Sequence, residues 1–69
     1  MNQVRWLYSS GKDWNCFDIK TQQLIEKLWC TNQASWIDSE AFQEPIYVDT
    51  ALMTLMCGGY SYTIARLRH

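Results

Sequence analysis

The side chains able to do chemistry are few. Cys16, Cys30 and Cys57 are the thiols, and His69 is the one imidazole, at the extreme end of the chain. A hydrolytic triad needs a nucleophile, a base and an orienting group in mutual reach. An imidazole at a chain end is poorly fixed, so Cys–His catalysis lacks its base. Three thiols and one imidazole would make four zinc ligands, but zinc sites set ligands in close pairs, and no Cys-x-x-Cys occurs. The odd count also argues against a secreted disulfide framework. The cysteines read as buried small hydrophobes. The carboxylates form no recognisable acid and base pair. Gly58-Gly59 lacks the further glycines and the following helix of a phosphate-binding loop. These residues predict no catalysis, no metal and no cofactor.

Binding chemistry has more material. The chain has 4 Trp, 4 Tyr and 2 Phe in 69 residues, enough flat side chains to build one core in one domain, 1–69. Net charge is −1, which gives no general pull toward nucleic acid and disfavours RNA binding by this domain alone. Between Lys27 and Arg66 there is no Lys or Arg, while Asp38, Glu40, Glu44 and Asp49 all fall there. The end carries Arg66, Arg68 and His69. Two readings fit: sheet neighbours of opposite charge, or a local anion site. No apolar run approaches the roughly 18 residues of a membrane span, and Arg5 is followed by no signal-peptide core. A reducing cytoplasmic or nuclear setting is expected, with no membrane.

These residues need elements to hold them. Residues 4–8 alternate as a strand with Val4, Trp6 and Tyr8 on one face. Ser9 to Asp13 reads as a hairpin turn, and Trp14 to Phe17 as the returning strand. A helix is expected over about 20–30, capped by Asp18 or Thr21, with Leu24, Ile25, Leu28 and Trp29 as its buried stripe. Residues 35–37 and 46–48 are short strands, with Pro45 marking an edge or turn. Asp49 to Met53 is ambiguous, Gly58-Gly59 is a turn or bulge, and Tyr60 to Leu67 is the last strand. Met53 and Met56 are expected to fill core gaps. The pattern predicts an α+β domain: an antiparallel, curved sheet with one helix in its concavity.

The ordered anchors are distinctive. Trp6-Leu7-Tyr8 is followed by Trp14 and Phe17, then Ile25-Glu26 with Trp29, Val48-Asp49 with Met53, and a strand ending Ala65-Arg66-Leu67-Arg68-His69. This set resembles the WWE family, named for two tryptophans and a glutamate, with Trp6, Trp14 and Glu26 in those places. The stretches 25–30 and 64–68 are similar to WWE units of CCCH zinc-finger ADP-ribosyltransferase-like proteins. The resemblance implies an antiparallel half-barrel around one helix, with Trp6, Trp14, Glu26 and Trp29 as structural anchors. It also implies an intracellular module of ubiquitin-ligase or ADP-ribosyltransferase proteins that recognises ADP-ribose or poly(ADP-ribose).

An ADP-ribose site wants an aromatic slot for adenine and Arg or Lys for phosphate. Ring-binding relatives imply Tyr8 as the aromatic. Gly11 stands where they carry a basic residue, leaving Lys12 as a substitute. Ile46, Leu55 and Ala65 stand where they carry Tyr, Gln and Arg. A one-residue strand shift near Pro45 or Gly58-Gly59 would return Tyr47 or Arg66 to the pocket. Two functions follow as expectations. One is a non-catalytic structural or protein-interaction unit with a degraded pocket, acting beside neighbouring domains of a longer protein. The other is an ADP-ribose reader using Tyr8 with Lys12, Arg66 and Tyr47.

Overall fold

Turn chemistry sets the first strands of the computed structural model, which describes residues 3–68. β1 (Val4–Ser9) and β2 (Trp14–Cys16) flank a turn at Ser10–Asp13, closed by Ser10 N–H donating to Asp13 O at 2.9 Å. Gly11 sits there at φ 101°, a conformation that costs glycine little. The chain then enters α1 (Ile19–Thr31) through Asp18, whose carboxylate accepts from Thr21 N–H at 3.1 Å and Thr21 Oγ1 at 2.6 Å. Asn32 ends the helix in the left-handed region at φ 56°, a usual stop. β3 (Ala34–Ile37) and β4 (Ile46–Asp49) follow. β5 (Thr54–Cys57) joins β6 (Tyr60–Arg68) through Gly58-Gly59, both at positive φ, the two-residue turn whose twist matches a hairpin.

Among the described residues, six strands form one antiparallel open sheet in the order β2-β1-β6-β5-β4-β3. β1 and β3 stand four strand spacings apart, about 19 Å across a flat sheet. One helix, about 10 Å across, packs against both. The sheet therefore curves around α1. Its concave face supplies Trp6, Ile46, Val48, Leu55 and Ile64 to the core, and Ile25, Leu28 and Phe17 complete it.

The α+β class, the single helix and five of the six strands match the sequence expectation; β5 falls between the ambiguous stretch and the Gly58-Gly59 turn. The buried stripe differs. Leu24 is 37% and Trp29 41% exposed, while Thr21, Ile25 and Leu28 are buried. The helix is rotated so that the line through 21, 25 and 28 faces the sheet. Trp29 lies at the margin, edge-on to Trp6 at 5.9 Å. Trp14 is not a core anchor: it is 52% exposed, because pairing opposite Ser9 puts it on the outer face. Met56 pairs with Tyr47 and Ser61 and is likewise exposed on that face, whereas Met53 packs against the core. The cysteines are not buried either: Cys16 and Cys30 are exposed and Cys57 is half-buried, all as free thiols. No described helix is long and apolar enough to cross a membrane.

Candidate functional site

Tyr8 lies on the concave face, opposite Ile64 of β6 and Asn15 of β2. Its ring meets Phe17 at 4.9 Å, Phe42 at 5.0 Å and Tyr62 at 6.4 Å. Phe42 in turn meets Tyr62 at 5.6 Å. The space beside Tyr8, where a ligand ring was expected, is filled by the protein's own aromatics.

Phe42 reaches this position by a chain of hydrogen bonds from the helix start. Asp18 Oδ1 accepts from Ser39 Oγ at 3.3 Å, Ser39 Oγ accepts from Ala41 N–H at 3.3 Å, and Ser39 O accepts from Phe42 N–H at 3.1 Å. Asp18 thus caps α1 and holds the 38–45 loop over Tyr8. The Thr21 hydroxyl bond, with a smaller contribution from Ser39, keeps the Asp18 carboxyl below its ordinary pKa. The sequence predicts Asp18 as a helix cap and gives no sign of Ser39 or Phe42 at the site. Nothing local in the sequence marks a loop residue that folds back across a sheet.

Arg66 faces the helix. Its Nε donates to Glu26 Oε1 at 2.9 Å and its Nη2 to Glu26 Oε2 at 2.7 Å, while its guanidinium lies over Trp29 at 5.5 Å. Glu26 Oε1 also accepts the Trp6 indole N–H at 2.9 Å. Arg66, first, and Trp6 hold the Glu26 carboxyl below its ordinary pKa against the opposing effect of burial. The expectation that opposite charges meet as sheet neighbours is corrected, since the partner of Arg66 is on the helix. The cation expected to serve phosphate is already matched by a carboxylate.

The remaining expected ligand residues do not converge on Tyr8. Lys12 is exposed in the β1–β2 turn, beyond Ser9, whereas Arg66 is opposite Trp6, three strand positions back. Tyr47 lies on the outer face, 5.3 Å from Trp36. Among the positions read as altered, Ile46 and Leu55 are fully buried core. Ala65 is opposite Leu7 on the outer face and does not line the concavity. His69 lies outside the described residues.

Two open clefts flank α1, of 710 Å³ and 620 Å³, and Tyr8 lines neither. The smaller runs beside Val4, Trp6 and Gln22, where β2 has ended. There Gln22 Oε1 accepts from Trp6 N–H at 3.0 Å and its Nε2 donates to Phe17 O at 2.6 Å. A helix side chain continues the hydrogen-bond ladder past the end of β2. Cys57 meets Glu44 at 3.6 Å; burial and that carboxylate push its thiol up in pKa, away from the thiolate a nucleophile needs.

No known family model matches the chain, and no curated protein matches it.

Proposed function

We propose that this chain is a non-catalytic, WWE-type half-barrel module of a cytoplasmic or nuclear protein in ADP-ribosylation or ubiquitination pathways. In this reading it acts through protein contacts, and its concave ligand site is closed. Phe42 carries the proposal. It occupies the place beside Tyr8 that an adenine ring would take, and it is held there by the cap of the helix. The Glu26–Arg66 pair adds support. A diphosphate arriving at Arg66 would have to displace a carboxylate bound at two points, and the apolar ring of Phe42 beside Tyr8 cannot replace its water.

Calorimetry with ADP-ribose and iso-ADP-ribose tests this. The expected dissociation constant is above about 100 μM, or about −5.5 kcal/mol. Low-micromolar binding that is lost in Tyr8→Ala and weakened in Lys12→Ala or Arg66→Ala would overturn the closed-site reading. It would establish the domain as a reader of ADP-ribose.

A further inference from the structure

The larger cleft lies along the free edge of β3. Helix α1 and β3 run antiparallel, as the bonds at their two ends show: Gln33 N–H donates to Leu28 O at one end, and Ser39 Oγ donates to Asp18 Oδ1 at the other. Between them is the 710 Å³ cleft, with Leu24 and Leu28 on the helix side and Ser35, Trp36 and Ile37 on the strand side. Among the described residues β3 pairs with β4 alone and ends the sheet.

Exposed sheet edges are ordinarily guarded by charge, proline or a bulge. Ala34-Ser35-Trp36-Ile37 has no charge and no proline, and its pairing with β4 runs residue for residue without a bulge. Next to it, Trp36, Tyr47 and Met56 form a cross-strand row on the outer face, with Trp36 63% and Met56 51% exposed. Trp and Tyr in such a row are the side chains that anchor protein interfaces.

The charges along the cleft select the occupant. Lys27 stands at the Ala34 end. Asp18, Asp38, Glu40 and Lys20 line the Ile37 end, where the lysine offsets one of the three carboxylates. One end is therefore positive and the other negative. A strand pairing antiparallel with β3 must carry the reverse polarity, and a second copy of this chain carries it by symmetry.

We propose that β3 is a self-association edge: two copies pair β3 with β3 antiparallel about a two-fold axis at Trp36. In that register the Trp36 side chains oppose one another, and the Met56–Tyr47–Trp36 rows of the two copies join into one. Asp38 of each copy falls opposite Ala34 of the other, at the end of the cleft where Lys27 stands. The two sheets become a single sheet with both helices on the same side. This names a partner for the protein-contact reading above and rests on that reading for its significance.

Sedimentation equilibrium over a concentration series of the chain tests it. A concentration-dependent dimer is expected. Trp36→Asp should abolish it with an unchanged circular dichroism spectrum, since Trp36 is exposed. Lys27→Glu should weaken dimerisation roughly tenfold, because each reversed contact occurs twice. The double variant Lys27→Glu with Asp38→Lys should recover it. A monomer up to millimolar concentration overturns the inference, as does a dimer insensitive to Trp36→Asp or a double variant that does not recover. Such a failure is distinct from failure of the closed-site reading, which the ADP-ribose titration decides independently of oligomeric state.

Discussion

Arg66 and Glu26, forty residues apart in the chain, meet through two parallel hydrogen bonds of 2.9 and 2.7 Å. The same carboxylate accepts the indole N–H of the buried Trp6. One group thereby ties the last strand, the helix and the first strand together. Its side chain is only 29% exposed, so removing its charge leaves a cation and an indole donor poorly matched. Glu26→Gln is expected to cost about 1–2 kcal/mol and to lower Tm by roughly 5–10 °C. A double-mutant cycle with Arg66→Met should return a coupling energy near 1 kcal/mol. Additive effects in urea denaturation would show that the two residues act separately.

Acid should weaken the fold through the same group. The folded-state pKa of Glu26 is lowered, chiefly by Arg66, and that of Asp18 is lowered, chiefly by Thr21. A carboxyl with a depressed folded pKa contributes stability that is fully present above its unfolded value. That value is about 4.3 for Glu and about 3.9 for Asp. The contribution is lost as pH falls through the folded value. Unfolding free energy should therefore decline from about pH 5 downward, with a shallower slope in Glu26→Gln and in Asp18→Asn. Equal slopes in the wild type and both variants would contradict this origin.

The orientation of α1 has a direct test. Leu28 faces the sheet and Leu24 opens onto the larger cleft. Leu28→Asp should unfold the domain, because an unpaired buried charge costs several kcal/mol, roughly 3 or more. Leu24→Asp should leave a cooperative thermal transition, displaced by only a few degrees. The opposite ranking of the two melting curves would place the helix in a different rotation.

Thiol reactivity should separate the cysteines. Cys57 is half-buried, and burial and Glu44 raise its pKa, so its thiolate fraction near neutral pH is reduced. Labelling with a disulfide reagent, followed by mass spectrometry, should modify Cys57 more slowly than the exposed Cys16 and Cys30. Glu44→Gln should speed it. Equal rates at all three sites would count against this environment.

Periodicity made the backbone plan readable. Val4, Trp6 and Tyr8 alternate as the first strand requires, and Ile25 and Leu28 mark a helix whose cap, Asp18, was among the two expected. Alternation could also have placed Trp14, since its partner Ser9 has the parity of the outer face, but the expected anchor role of a tryptophan outweighed it. The four residues of β5 are too few to show a period. The candidate site was less legible than the fold. Alternation put Tyr8 on the face of Trp6, and the family resemblance alone made it a ligand candidate. Its neighbour Phe42 could not be found, because it lies in a loop whose path depends on contacts distant in sequence, among them the bond from Ser39 to Asp18. The fate of Arg66 likewise depended on a helix residue forty positions away.

The pairing of Val4 with Arg68 brings the two ends of the described chain side by side on adjacent strands, about 5 Å apart. A polypeptide continuing from both would enter and leave at one place. The fold is thus topologically a cassette, able to sit within a loop of a host domain without prying it open. For the same reason, the sequence order is a choice the fold does not enforce. A short glycine bridge across the ends, with new termini cut into the exposed stretch around Gln43, would rearrange the reading order and keep every strand beside its present neighbours. The one casualty would be the loop that carries Phe42, so such a permuted chain would also uncover Tyr8.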